Sequence, residues 1–286
     1  MYTEISFPFF GLSMNPGQYL EIGGFRIYYY AMIISLGLIL AFVYGMKRCR
    51  QFGFRQDDVA DGFLWIVPVA VLCARLYYVI FAWEEGGYSK DLWSIFAIRD
   101  GGLAIYGGVI GAVLSIIIYC KIKKFSIAAV LDLTVLGFFI GQTLGRWGNF
   151  FNREAFGAVT DSFLKMGLYN TITGQVEYHH PTFLYESLWN GIGLLALHFL
   201  SKKRQYDGQI ALGYGAWYGL GRMWIEGLRT DSLYWGPFRV SQLLAGVSFV
   251  VCTAILVWQA FRPHDRQKLY VHRANLEEPA PKAKKK

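Results

Sequence analysis

The chain has 286 residues, 54% of them hydrophobic and 17% aromatic, with a positive mean hydropathy. A water-soluble fold of this length cannot hide that much apolar surface together with apolar runs of about twenty residues, so the chain is expected to be an integral membrane protein. Its formal charge of +8 comes from short basic clusters between apolar segments, a topogenic pattern that excludes nucleic acid as a partner.

Seven spans are predicted, over residues 28–46, 61–82, 101–120, 127–145, 181–200, 208–225 and 240–261. Each is close to the ~20 residues that a helix rising about 1.5 Å per residue needs to cross the hydrocarbon. Lys47, Arg48, Arg50 and Arg55 follow the first span, and Lys121, Lys123 and Lys124 the third. Lys202, Lys203 and Arg204 follow the fifth, and a basic tail follows the seventh. The other connections are acidic or balanced, with Glu84, Glu85, Asp91 and Asp100 in one and Asp161 and Glu177 in another. This alternation puts the basic side in the cytoplasm, the N-terminus outside and the C-terminus inside. The expected fold is therefore all-α, a polytopic membrane protein with seven transmembrane helices. Residues 1–261 form one membrane domain with an outer loop region at 146–180, and 262–286 form a basic, disordered cytoplasmic tail. Cys49, Cys73, Cys120 and Cys252 lie in or just beyond the spans, away from the outer loops, which argues against a disulfide framework.

Topology turns residue positions into depths. Tyr30 opens the first span, Arg75 lies in the outer half of the second, and Tyr106 stands two turns into the third. Arg146 caps the fourth, and His180 and Glu186 lie at the outer start of the fifth. Arg222 and Glu226 lie at the outer end of the sixth, and Gln242 at the outer start of the seventh. Every span thus brings something polar to nearly one level, whereas Asp61 and Asp132 are deeper exceptions. A charge in the bilayer costs ~2.5–3.5 kcal/mol on insertion scales, so such residues face a cavity or a partner. Tyr28, Tyr29, Tyr77, Tyr78 and most tryptophans are read as interfacial anchors instead.

Residues 141–157, GQTLGRWGNFFNREAFG, set Arg146, Asn149, Asn152, Arg153 and Glu154 among glycines and aromatics. Arg222, Glu226 and Arg229 are spaced to stack along one helical face as an alternating ladder with a positive charge left over. Arginine presents a planar fork that matches phosphate oxygens, and a lipid phosphate is the anion available at this depth. There is no metal-ligand spacing, no nucleophile elbow and no phosphate-binding lysine loop. These residues support an outer-leaflet phospholipid site of unspecified chemistry. A lipid transporter or channel, or a phosphatidyltransferase, stays open beside a transferase of another kind.

GRWGNFFNREAFG, together with DGGLAIYGG, HHPTFLYE and YGLGRMWIEGLR, resembles the bacterial prolipoprotein diacylglyceryl transferase family, over residues from about 25 to 260. The resemblance implies transfer of the diacylglyceryl group of phosphatidylglycerol to the lipobox cysteine thiol of a prolipoprotein. A thioether forms and glycerol phosphate leaves, with no cofactor, in the bacterial cytoplasmic membrane. It places the family's two essential arginines at Arg146 and Arg222. Other fixed positions fall at Tyr30, Asn149, Asn152, Glu154, Gly157, His180, Pro181, Tyr185 and Glu186. Arg146, Arg222, Tyr30, Asn149, Asn152, Glu154, Gly157 and Arg229 are expected to bind substrate. The chain departs from some members of the family where Tyr106 stands in place of a histidine, before the paired glycines of the third span, proposed as the base. Tyr106, His180 and Glu226 are then the candidates for accepting the thiol proton.

Overall fold

The computed structural model describes residues 2–274 apart from Glu85, Lys90, Arg99, Asp100, Asp231 and Leu233. Two of the acidic residues used to orient the chain, Glu85 and Asp100, thus lie outside the described residues, as does the basic tail from residue 275. The protein is mostly helical, with α1 (Tyr29–Phe52), α2 (Gln56–Phe81), α3 (Ile105–Lys123), α4 (Ile127–Asn152), α5 (Thr182–Ser201), α6 (Gln209–Leu228), α7 (Val240–Ala260) and a short α8 (Tyr270–Arg273). Among the described residues, α1, α2, α3, α4 and α7 are long and apolar enough to cross a membrane. Helices α5 and α6 have 20 residues each but carry Glu186, Asn190 and His198, or Arg222 and Glu226, which lower their hydropathy. Five apolar spans therefore stand where the sequence leads one to expect seven.

Two boundaries move in ways that matter. Helix α4 runs on past residue 145 to Asn152, so Arg146, Asn149 and Asn152 are helical rather than part of an outer loop. Helix α3 begins only at Ile105, because Gly101 and Gly102 take φ +90 and +71 and cannot be helical. Tyr106 is therefore the second residue of α3 and not two turns inside it.

The chain divides into two units, Met1–Tyr44 with Thr134–Arg266, and Gly45–Leu133 with Gln267–Lys286. In the first, β1 (Tyr2–Phe7), β2 (Leu12–Met14), β5 (Met166–Asn170) and β6 (Gln175–His179) form an antiparallel sheet in the order β2-β1-β5-β6. Alternation turns Ile5, Met166 and Leu168 to one face, where they meet Phe150 of α4 and Phe183 of α5 in a buried cluster. Burying Phe150 there helps explain why α4 stays helical through a glycine-rich stretch, since packing outweighs the roughly 1 kcal/mol that each helical glycine costs. Two hairpins complete the strands: β3 (Tyr19–Ile22) with β4 (Phe25–Tyr28), and β7 (Tyr234–Trp235) with β8 (Phe238–Arg239).

In the second unit α3 lies tightly against α2. A Cβ at Gly111 would stand 2.5 Å from that of Cys73, and one at Gly107 would meet the backbone of Cys73 and Ala74. The Tyr119 hydroxyl donates to the Asp58 carbonyl at 2.8 Å, and Lys123 pairs with Asp61 at 2.9 Å. Arg75 is buried and fully engaged by backbone. Its Nε donates to Ile95 O (2.9 Å), Nη1 to Gly101 O and Gly102 O (2.9 and 3.1 Å) and Nη2 to Ser94 O (2.6 Å). One cation thereby stitches the α2–α3 connection to the glycine pair that precedes α3. Arg75→Met leaves these carbonyls unpaired and is expected to destabilise this unit by about 2 kcal/mol. Thermal unfolding in detergent and limited proteolysis within 94–102 check it, and an unchanged cleavage pattern would rule the role out.

Candidate functional site

The site is built where α4 stops. Arg153 takes φ +55, its N–H donates to Phe150 O at 3.1 Å, and the Glu154 N–H reaches back to Asn149 O at 3.1 Å. These two bonds make a Schellman turn, which normally uses glycine. Here Arg153 holds the left-handed position, at a cost of ~1 kcal/mol. Its guanidinium offsets that by donating to Thr3 O (2.9 Å), Asn15 Oδ1 (2.9 Å) and Pro16 O (2.5 Å), binding the N-terminal segment to the turn. The reversal brings the Glu154 carboxylate to the amides of Asn149 and Asn152, at 2.9 and 3.1 Å. Asn149 Oδ1 in turn accepts from Arg146 Nη1 at 3.1 Å.

Glu186, on the first turns of α5, is buried at 3% exposure, and three arginines surround it. Arg146 Nη2 lies 2.6 Å from Oε2, Arg222 Nη1 2.5 Å from Oε1, and Arg229 Nη1 3.7 Å from Oε1. Glu226, also buried, pairs with Arg222 at 2.5 Å and with Arg229 at 3.9 Å. Three cations on these two carboxylates leave one positive charge over, and the Glu154 carboxylate is linked to Arg146 through Asn149. The arrangement depends on the register of α5 against α6. Trp189 and Trp217 fix it, stacked at 4.6 Å, each indole N–H donating to the other's carbonyl at 2.9 Å. Trp147 Nε1 donates to Ser187 Oγ at 3.1 Å, and that hydroxyl donates to Thr143 O at 2.9 Å, which joins α4 to α5 beside the cluster.

Gly157 is needed for close approach. Its N–H donates to His180 O at 2.9 Å, and a Cβ there would stand 2.7 Å from that of His180 and 2.9 Å from Leu228 O. The next N–H, of Ala158, donates to Leu228 O at 2.7 Å, so the loop after α4 is tied to the end of α6 just before Arg229. His179 is buried with Nδ1 2.9 Å from Gly157 O. His180 Nδ1 lies 3.4 Å from the Tyr185 hydroxyl, and partial burial lowers its pKa from the usual 6.5. Tyr30 lies against Gly148, within electrostatic reach of Arg146 and Glu154. Of the expected site residues, Arg146, Arg222, Arg229, Glu226, Asn149, Asn152 and Glu154 form one connected network. His180 and Gly157 brace it through backbone, while Tyr106 belongs to the other unit.

A family model described as prolipoprotein diacylglyceryl transferase matches residues 18–258. The chain belongs to the prolipoprotein diacylglyceryl transferase family. It is 39% identical over 249 residues to the phosphatidylglycerol–prolipoprotein diacylglyceryl transferase of Listeria monocytogenes serotype 4b, covering 85% of this chain and 89% of that one. To the protein of the same name from Bacillus cytotoxicus it is 38% identical over 260 residues (89% and 95% covered). To that from Limosilactobacillus reuteri it is 40% identical over 253 residues (86% and 91% covered).

Within this member of the diacylglyceryl transferase family, the sequence identified Glu186 as an outer polar residue and a family position but gave it no role. A lone glutamate in an apolar span was the signal available. The carboxamide of Glu186→Gln keeps the shape but leaves Arg146 and Arg222 short of a counter-charge in a buried site. A loss of roughly 3 kcal/mol is expected, read as a lower unfolding temperature in detergent. For His180 the lowered pKa means that the folded chain disfavours the proton. Its contribution to stability is complete above 6.5 and is lost as pH falls through the folded value. The unfolding temperature of the wild type should therefore drop more between about pH 7 and 5 than that of His180→Gln.

Proposed function

We infer that this chain transfers the diacylglyceryl group of phosphatidylglycerol to the lipobox cysteine of a prolipoprotein, as an enzyme of the bacterial cytoplasmic membrane. What carries the reading is the convergence of guanidinium groups from two separate helices, Arg146 of α4 and Arg222 of α6, within hydrogen-bond distance of one carboxylate. Within this proposal α5 and α6 complete a seven-span bundle over residues 1–261, with the N-terminus outside and a basic cytoplasmic tail from 262. Their polar residues are accommodated because Glu186, Asn190 and Glu226 are buried inside the protein, the two carboxylates paired with arginines.

The reaction breaks the bond between the glycerol carbon and its phosphate oxygen and forms a bond from that carbon to sulfur. The phosphate leaves with the electron pair and the thiol proton goes to a base. Arg146 and Arg222 supply hydrogen-bond donors held in place by Glu186 and Glu226, so they need little reorganisation as negative charge builds on the leaving phosphate. The surplus positive charge also favours the thiolate, whose ordinary pKa of about 8.5 falls beside cations. Tyr30, Asn149, Asn152, Glu154, Gly157 and Arg229 would shape the substrate site. Among the candidate bases, Glu226 is committed to Arg222 and Arg229. Tyr106 is a phenol, a poorer proton acceptor than an imidazole. His180 is the candidate whose surroundings favour the neutral, proton-accepting form.

Arg146→Lys keeps the charge but loses the planar fork that reaches Asn149 and Glu186 together. Transfer to a lipobox peptide by the purified variant, in vesicles holding phosphatidylglycerol labelled in its acyl chains, should fall by ~10²-fold or more. Near-normal transfer would end the proposed role of Arg146.

A further inference from the structure

Two hairpins of the first unit divide their faces in the same way. In β3–β4 the register pairs Leu20 with Ile27 and Ile22 with Phe25, so these four side chains share one face. All four are exposed, Phe25 at 78%. The opposite face closes on itself. Arg26 lies over the Tyr19 ring at 4.9 Å, Tyr19 meets Tyr28 edge-on at 5.7 Å, and Glu21 is the cross-strand neighbour of Arg26. In β7–β8, Trp235 opposite Phe238 forms the open face, at 76% and 62% exposure. Tyr234 opposite Arg239 forms the closed one, with the guanidinium 5.7 Å from the ring centroid and its Nε donating to the hydroxyl at 2.9 Å.

An isolated two-stranded hairpin is marginal in water, and an uncovered apolar face has nothing to hold it there. Each hairpin runs straight into a helix apolar enough to cross a membrane: β4 ends at Tyr28 and α1 starts at Tyr29, while β8 ends at Arg239 and α7 starts at Val240. The Tyr29 N–H donates to Gln18 O at 3.0 Å and fixes the base of the first hairpin to the helix. Met32 and Ile34, early in α1, are exposed apolar residues like those of the hairpin before them, and on α7 Leu243 and Val247 line one groove with Phe238. Phe25 and Trp235 thus stand only a few residues from helices apolar enough to be surrounded by lipid.

We propose that both hairpins lie along the bilayer surface, with Leu20, Ile22, Phe25 and Ile27 of one and Trp235 and Phe238 of the other inserted into the lipid interface. Uncharged aromatic and aliphatic groups face the acyl boundary, and tyrosine with arginine faces the headgroups and water, the division that an interfacial anchor requires. The anchors reach the site through short paths. Tyr30 is the second residue of α1, and Arg239 Nη1 donates to the Glu226 carbonyl at the end of α6. They thus set the depth at which the arginine cluster meets a lipid headgroup. The proposal rests on α1 and α7 crossing the bilayer and not on the transfer reaction.

The test places p-benzoylphenylalanine at position 25, 238, 21 or 172 of the full chain, in phosphatidylglycerol–phosphatidylethanolamine vesicles. Ile172, 85% exposed on the β5–β6 turn, serves as the distant control. After irradiation, intact mass should show lipid adducts at 25 and 238 several-fold above those at 21 and 172. Equal yields at all four positions, or adducts at 25 and 238 with the mass of a second chain, overturn the proposal. Diacylglyceryl transfer by the unmodified chain in the same vesicles tests the functional reading separately.

Discussion

A carboxylate removed from water does not stay ionised without partners, and Glu186 finds three of them. Desolvating the ion costs several kcal/mol, which the surrounding guanidinium groups offset only if they come close from different directions. That condition ties together α4, α5 and α6, since Arg146, Glu186 and Arg222 each stand on a different helix. The stacked tryptophans set the α5–α6 register, and the Trp147–Ser187–Thr143 bridge sets α4 against α5. Without these the ion pairs would have to find their own geometry. With them the forks of Arg146 and Arg222 are held in a fixed geometry about Glu186.

The same logic extends outward from the helices. The sheet buries Ile5, Met166 and Leu168 on Phe150 and Phe183, which keeps α4 helical to Asn152 and keeps Asn149 in reach of both Arg146 and Glu154. Arg153 makes the turn that folds Glu154 back and holds the N-terminal segment against it. Gly157 lets the returning chain touch α5 and α6 at once. Hydrophobic packing of the sheet and the polar order of the site are thus two results of the same helix end.

Much of this was legible in the sequence, and the remainder was hidden for physical reasons. Spacing alone put Arg222 and Glu226 on one face of α6, because those neighbours are local, while Arg229 falls just past the helix, in extended backbone at its C-cap. Pairing between Arg222 and Glu186 spans 36 residues and leaves no periodic trace, so Glu186 carried no role until its partners were in view. The glycine-rich stretch ending at Gly157 reads as a loop because helix propensity is a local quantity, whereas the burial of Phe150 is not. Strands β1 to β6 are too short to announce themselves beside long apolar runs. The sequence sets Tyr106 about one turn too deep because the run beginning at Gly101 carries no charge to mark where the helix starts. Left-handed glycines and the carbonyl bonds of Arg75 delay the helix, and apolarity does not report them.

The pairing of β1 with β5 carries one more implication. Ser6 lies opposite both Ser13 and Gly167, so β1 meets β2 at once but gains its second strand partner only when a segment far along the chain has been made. Until then β1 and β2 stand as a lone hairpin, which is marginal in water, and Ile5 has neither Met166 nor Leu168 to pack against. Ring closure over such a sequence distance is slow and entropically costly. Completion of the four-stranded sheet, and with it the burial of Ile5, therefore waits for residues 166–179 to be made.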